Sequence, residues 1–389
     1  MQFVVSAGGT AGHINPALAV ADELRGRGHD ILFVGTPDHL EATLARDAGF
    51  EFAGFRVSGF DKAHPTTLVT SGVKILRAAR TVQRLFGERR VDAAVTFGAY
   101  VCVPVGLAAT RTGVPLVVHE QNSIPGMANV FLAQRADAVA LAYDSCAQHL
   151  DPKSPPVVCG NPVRASFGGT DRATARRKLS IPMTATVLSV MGGSLGASHI
   201  NRAVCKMKKR LLSTEDLVVI HSAGQGDFEA TEAELALRDK QRERWRLFSY
   251  IDDIADVLAA SDLVISRAGA SSLAEIATLG VPSVLVPYPH ARADHQTLNA
   301  HALADIGAAC IVADSDLDTD GFPALVLDLL SDPARLVRMS RAARTLSGHD
   351  ARTALADLVC SVARPPAADG AAEPVDDGTA HPSGDGVAQ

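Results

Sequence analysis

Short unbroken apolar runs alternate along the chain with longer segments whose apolar residues recur every three or four positions. In the first half, Phe3–Ser6, Asp30–Val34, Val91–Thr96 and Leu116–His119 read as buried parallel strands. In the second half, Val187–Met191, Leu217–His221, the end of a strand at Leu263, Val264 and Ile265, and Val281–Val286 read the same way. Helices are predicted between them, the first carrying Leu18, Val20, Ala21 and Leu24. Thr67–Phe86 predicts an amphipathic helix. Leu68, Ile75, Leu76, Val82, Leu85 and Phe86 fall on one side, and Lys74, Arg77, Arg80 and Arg84 on the other. A last helix is expected at about Arg352–Val362. The tail after it, residues 364–389, is rich in Pro, Gly, Ala and Asp, has little to bury and is expected to be disordered.

The two halves share a plan. Phe3–Ser6 runs into Ala7-Gly8-Gly9-Thr10-Ala11-Gly12-His13, a strand, Gly-rich turn and helix in which a ligand can approach the backbone closely. Val187–Met191 runs into Gly192-Gly193-Ser194-Leu195-Gly196, and the helix starts agree, His13-Ile14-Asn15 against His199-Ile200-Asn201. Self-similarity at so long a period predicts two doubly wound α/β domains, with a boundary near Asn161–Arg164, after a Pro-rich stretch. Ligands of open parallel sheets bind beyond the carboxyl ends of the strands, so the two domains should share a cleft. A dinucleotide enzyme would place an acid at the end of the second strand, where Gly35 and Thr36 stand. That counts against NAD or FAD.

Composition narrows the choice. The 389 residues suffice for two domains, and 47% hydrophobic with 21% charged residues is typical of a globular α/β protein. A formal net charge of −6 argues against a nucleic-acid partner. Six scattered cysteines show no metal-like spacing and fit a reducing compartment. Without a basic leader or a bilayer-length apolar run, a cytoplasmic protein with only peripheral membrane contact is expected.

Ser266–Asn299 concentrates the candidate chemistry. Gly269 should permit a tight turn, and Ser271 and Ser272 should cap a helix through Leu273, Ile276 and Leu279 to Gly280. The first turn of that helix suits a phosphate. Glu275, one turn further in, suits the two hydroxyls of a ribose. A Pro-rich loop then leads to His295, Gln296 and Asn299. Together these features point to a nucleotide-sugar site. Asp314–Gly321, DSDLDTDG, lacks the Glu of a calcium loop and lies outside the predicted cleft, so it is expected to be a solvated acidic loop. No Gly-Lys-Ser/Thr is present to suggest a kinase or ATPase.

GGTAGH, HEQN, NPVR, GGSLGA, YIDD, RAGASSLAE and HQTLNA, in this order, resemble the MurG family of peptidoglycan glycosyltransferases, from Phe3 to about Val362. The resemblance implies a GT-B fold, two Rossmann-like domains facing across a cleft. Residues 1–163 would bind the acceptor, joined by a terminal helix at about 350–363, and residues 164–349 would bind the donor. It implies inverting transfer of N-acetylglucosamine from UDP-N-acetylglucosamine to the undecaprenyl-linked muramyl-pentapeptide, lipid I, to give lipid II, with no metal or other cofactor. Carried over by motif, the backbone near Ile251 would meet uracil and Glu275 the ribose. Ser194 and the turn Ala270, Ser271, Ser272, Leu273 and Ala274 would hold the diphosphate, and Gln296 the sugar. Thr10, Ala11, Gly12, Asn122 and Arg164 would complete the donor site. His13 is the candidate base, or else a helix-capping residue that helps bind the acceptor diphosphate.

Some positions depart from the family pattern. Leu195 stands for a usual Gln, Ala11 and Ala99 for frequent glycines, and Cys102 for a small residue. Other readings are a related enzyme with another lipid or natural-product acceptor, a UDP-sugar epimerase of similar fold, or a non-catalytic UDP-sugar-binding scaffold of the division machinery. The acceptor lies in a membrane, so the basic helix is expected to meet the cytoplasmic leaflet of the plasma membrane, with Leu85 and Phe86 entering the lipid. Cell-wall and division proteins are further possible partners.

Overall fold

The computed structural model describes residues 1–57, 67–192, 197–346 and 350–364, with the side chains of 67–71 left aside. The expected tail and the Gly-rich turn with Ser194 and Leu195 lie outside the described residues.

The apolar runs form two parallel sheets. The first contains β1 (Gln2–Ser6), β2 (Asp30–Gly35), β3 (Glu51–Gly54), β4 (Ala93–Thr96), β5 (Leu116–Glu120), β6 (Ala138–Leu141) and β7 (Val157–Val158), in the order β3-β2-β1-β4-β5-β6-β7. The second contains β8 (Thr186–Met191), β9 (Leu217–Ser222), β10 (Trp245–Phe248), β11 (Leu263–Ser266), β12 (Ser283–Leu285) and β13 (Ala309–Ile311), in the order β10-β9-β8-β11-β12-β13. Both orders reverse direction beside their first strand. Chain connections therefore part between β1 and β4, and again between β8 and β11, and each parting opens a crevice at the strands' carboxyl ends. Helices cover both faces of each sheet, which is why β4, β5 and β11 are buried along their whole length and read as continuous apolar runs. This is the GT-B arrangement.

The last helix, Ala351–Val362, packs on the first sheet, not the second. Leu355, Ala356 and Val359 join Phe3, Val5, Ile14 and Phe97 in one core. Arg27 pairs with Asp357 at 2.6 Å, and the Arg364 N–H donates to the Asp92 carbonyl. The chain thus crosses between the sheets near 159–168, and the terminal helix from Ala351 lies back on the first sheet. A cavity of about 490 Å³ lies at this junction, with Asn161, Arg164, Ala274 and Arg352 in its wall.

The amphipathic helix spans Thr67–Glu88 and packs on the Cys102–Thr112 helix. Its inner side differs from the expectation. Phe86 is only 6% exposed and sits with Ala78 and Val82 in the core, and Leu85 packs against that core. Neither is placed to enter lipid. The exposed apolar side chains are Val73 (44%) and Leu76 (42%), one turn before Ala78 and Ala79 turn inward. The DSDLDTDG loop also departs from expectation. Asp314 and Asp318 are not simply solvated but are paired with His199, Arg267 and Lys206.

Candidate functional site: a cleft between two switch points

The helix Ala11–Gly26 begins at the crevice beside β1. Gly9 adopts φ +82°, a left-handed turn that a side chain would strain, and this delivers Thr10 as the residue before the helix. Thr10 does not cap the helix with its side chain. Its carbonyl accepts from the His13 N–H at 3.0 Å, and its Oγ1 lies 3.4 Å from His13 Nδ1. Ala11, Gly12 and His13 are partly exposed in the first turn.

Across the crevice, the β4 strand ends in Gly98 at φ +97°. A Cβ on Gly98 would lie 3.1 Å from His13 Cδ2, so glycine lets the loop close on the imidazole edge. Its neighbour Ala99 is also left-handed, at φ +67°, and carries strain where the family often has glycine. His13 is held below its ordinary pKa. Loss of water around the ring is the main cause and His295 adds repulsion, while the Glu120 carboxylate pulls the other way. The neutral ring, the form able to accept a proton, is therefore favoured.

The HEQN motif separates into three roles. His119 is fully buried, its Nε2 is 3.0 Å from the Gly160 carbonyl, and burial lowers its pKa to about 4. It is a neutral core residue. Glu120 is buried but well satisfied, accepting from the N–H groups of Asn122 (2.9 Å) and Gly126 (3.0 Å) and from the amides of Asn122 and Asn129. These bonds satisfy the buried carboxyl group and fix Asn122 at the cleft. The sequence signal for Glu120 is an acid that closes a wholly buried strand.

Asn122 meets the second domain directly. Asn299 is fully buried, its Oδ1 accepts from the Ser123 N–H at 2.9 Å, and its amide donates to Asn122 Oδ1 at 3.2 Å. Ser271 makes the other crossing, its hydroxyl donating to the Gly12 carbonyl at 2.9 Å. Ser271 was expected to cap its helix, and it does not. That helix is Ala270–Leu279, preceded by an extended Gly269 at φ −69°, and it ends at a left-handed Gly280 as expected. No side chain satisfies its first N–H groups, so they remain directed toward the cleft.

Glu275 lies one turn along, partly exposed, and burial raises its pKa to about 7 against the opposing pull of Arg164. The Arg164 Nε is buried without a hydrogen-bond partner, and its guanidinium lies 5.7 Å from the Phe167 ring centre. An unpaired cation and an unpaired carboxyl thus share this wall of the cleft. Gln296 is oriented by its carbonyl, which accepts from the N–H groups of Tyr288 (2.9 Å) and Ala268 (3.2 Å), leaving its NH₂ for other partners. Ile251 packs at the edge of the second domain's core beside exposed Tyr250. Among the described residues no cluster of His, Cys, Asp and Glu could hold a metal.

The fold brings Thr10 to His13 and Asn122 to one side of the cleft and Ala270 to Glu275 with Gln296 to the other; Ser194 lies outside the described residues. Residues 3–141 match the glycosyltransferase family 28 N-terminal domain and residues 187–357 its C-terminal domain. Two relatives bear the name UDP-N-acetylglucosamine--N-acetylmuramyl-(pentapeptide) pyrophosphoryl-undecaprenol N-acetylglucosamine transferase. The one from Clavibacter michiganensis is 39% identical over 363 residues, 92% of this chain and 95% of its own. The one from Desulfitobacterium hafniense is 37% identical over 355 residues, 90% of this chain and 96% of its own. The crystal structure of Acinetobacter baumannii MurG is similar with a TM-score of 0.74 and 32% identity, over 92% of this chain and 99% of that one. With both domains matched and the length of its relatives covered, this chain belongs to the MurG family of glycosyltransferases.

Proposed function

We propose that this protein transfers N-acetylglucosamine from UDP-N-acetylglucosamine to the undecaprenyl-pyrophosphoryl N-acetylmuramyl-pentapeptide, lipid I, forming lipid II. The observation that carries the site reading is the pairing across one cleft of a neutral-leaning histidine with an uncapped helix N-terminus and an unpaired arginine. The acceptor hydroxyl attacks the anomeric carbon, its proton passes to His13, and the bond from that carbon to the UDP oxygen breaks with inversion. Glu120 favours the imidazolium as it forms. The negative charge gathering on UDP is met by the N–H groups at the start of Ala270–Leu279 and by Arg164. Glu275 accepts from the ribose hydroxyls, the backbone at Ile251 meets the uracil, and the Gln296 NH₂ meets the sugar. Ser194 is assigned to the diphosphate by motif alone. None of these roles calls for a metal.

The acceptor is a membrane lipid, and among the described residues no helix is long and apolar enough to cross a bilayer. Val73 and Leu76 are exposed among Lys74, Arg77 and Arg80, the combination that binds an anionic surface. This half of the helix is our candidate for peripheral contact with the leaflet that holds the acceptor. The deciding assay is transfer of radiolabel from UDP-N-acetylglucosamine to lipid I in vesicles, with a water-soluble sugar as control. Label in lipid II is the expected result. Label that moves only to the soluble acceptor would defeat the proposal.

A further inference from the structure

We infer that Asp314 is a positioning residue that holds the starts of two helices, Ser198–Lys206 and Ala270–Leu279, in the relation needed to bind the donor diphosphate. This rests on the reading that the diphosphate lies at the crevice between β8 and β11. Met191 and Ser266, the last residues of those strands, are in register, and the helices that follow pack on opposite faces of the sheet, Ile200 and Val204 in one core and Leu273 and Ile276 in another. Asp314 supplies a join. It follows β13, two strands from β11, and its side chain is 16% exposed.

One carboxylate oxygen lies 2.6 Å from the guanidinium of Arg267, the residue after β11. The other lies 2.7 Å from His199 Nδ1, in the first turn of Ser198–Lys206. Arg267 is held further by the carbonyls of Val286 (3.3 Å) and Pro287 (3.2 Å), which aim it toward Asp314. The other ring nitrogen of His199 lies 3.0 Å from Asp318, which also receives Lys206 at 2.7 Å. Burial pushes the Asp314 carboxyl up, but His199 and Arg267 outweigh it and hold it below the ordinary carboxylate value. His199 is the counterpart of His13 in the internal repeat. In the first domain that position serves the cleft, and in the second it anchors the frame behind it. Bound groups must be held within about half an ångström of the productive geometry, and a charged link between the two starts does that.

The test uses the full chain and reads UDP and uridine separately, as competitors of UDP-N-acetylglucosamine. Asp314→Asn keeps the shape and loses both ion pairs. Its UDP affinity should fall about tenfold, or roughly 1.4 kcal/mol, while its uridine affinity stays within about twofold of wild type. His199→Gln should give the same pattern. The double variant should lose about tenfold, not a hundredfold, because both changes break one link. Equal loss for UDP and uridine, unchanged UDP affinity, or multiplicative losses in the double variant would each overturn the role of Asp314. If Asp314→Asn does not fold, His199→Gln carries the same readout. Should the wild type bind UDP no better than uridine, the diphosphate reading itself fails, a result distinct from any of these.

Discussion

Replacing Glu275 by Gln separates what a largely desolvated carboxyl costs the empty protein from what it contributes to the donor. Burial raises its pKa from 4.5 to about 7. A group whose folded pKa is raised stabilises the fold while protonated, and that stability is lost as pH climbs between the two values. The full shift corresponds to about 3 kcal/mol. Most of it is still present at pH 5, and nearly all is gone at pH 8.5. Gln cannot ionise, so the stability of Glu275→Gln relative to wild type should improve by roughly 2–3 kcal/mol from pH 5 to pH 8.5. Urea unfolding of the ligand-free protein at the two pH values measures this. The same substitution should weaken UDP binding by about 1.5–3 kcal/mol, since the ribose loses a charge-assisted pair. Ribose hydroxyls favour the ionised carboxyl, so wild-type UDP binding near pH 6.5 should release a proton, read by calorimetry in buffers of different ionisation enthalpy. A stability difference that is flat with pH, together with buffer-independent heats, would refute the reasoning.

His13→Ala should lower kcat by roughly 10²-fold or more with UDP affinity preserved; an unchanged kcat with a raised acceptor KM makes His13 a binding residue. Because the neutral ring is the active form and its pKa is lowered, wild-type kcat/KM should fall off on the acid side only below the ordinary histidine value. Arg77, Arg80 and Arg84 changed together to Glu should abolish sedimentation with anionic vesicles while UDP binding and Tm hold, each cation contributing on the order of 1 kcal/mol; persistent sedimentation at physiological salt would move the membrane face elsewhere. Ala99→Gly, relieving a left-handed alanine at φ +67°, should stabilise the protein by about 0.5–1 kcal/mol in thermal unfolding, and a lower Tm would count against strain at this turn.

The strands that carry the site were legible from the chain alone because they are buried on both faces, and burial demands unbroken apolar runs. Edge strands were not. Glu51–Gly54 and Val157–Val158 are short and partly exposed, so their pattern matches that of loops. Gly9, Thr10 and the helix start at Ala270 were likewise readable, since a strand that turns sharply into a helix leaves a local signature. What each polar side chain does was decided by tertiary contact. Ser271 has the residue type and place of a helix cap, yet it reaches Gly12 because the other domain offers a carbonyl at 2.9 Å. Asp314 and Asp318 read as solvated charges until the fold set His199 and Arg267 beside them, from segments more than forty residues away in sequence. Phe86 and Leu76 share one apolar pattern, but only the first is buried in the core of the first domain. Periodicity records how a segment alternates between water and protein. Which partner a polar group finds depends on the positions of distant segments, and only the packed chain sets those.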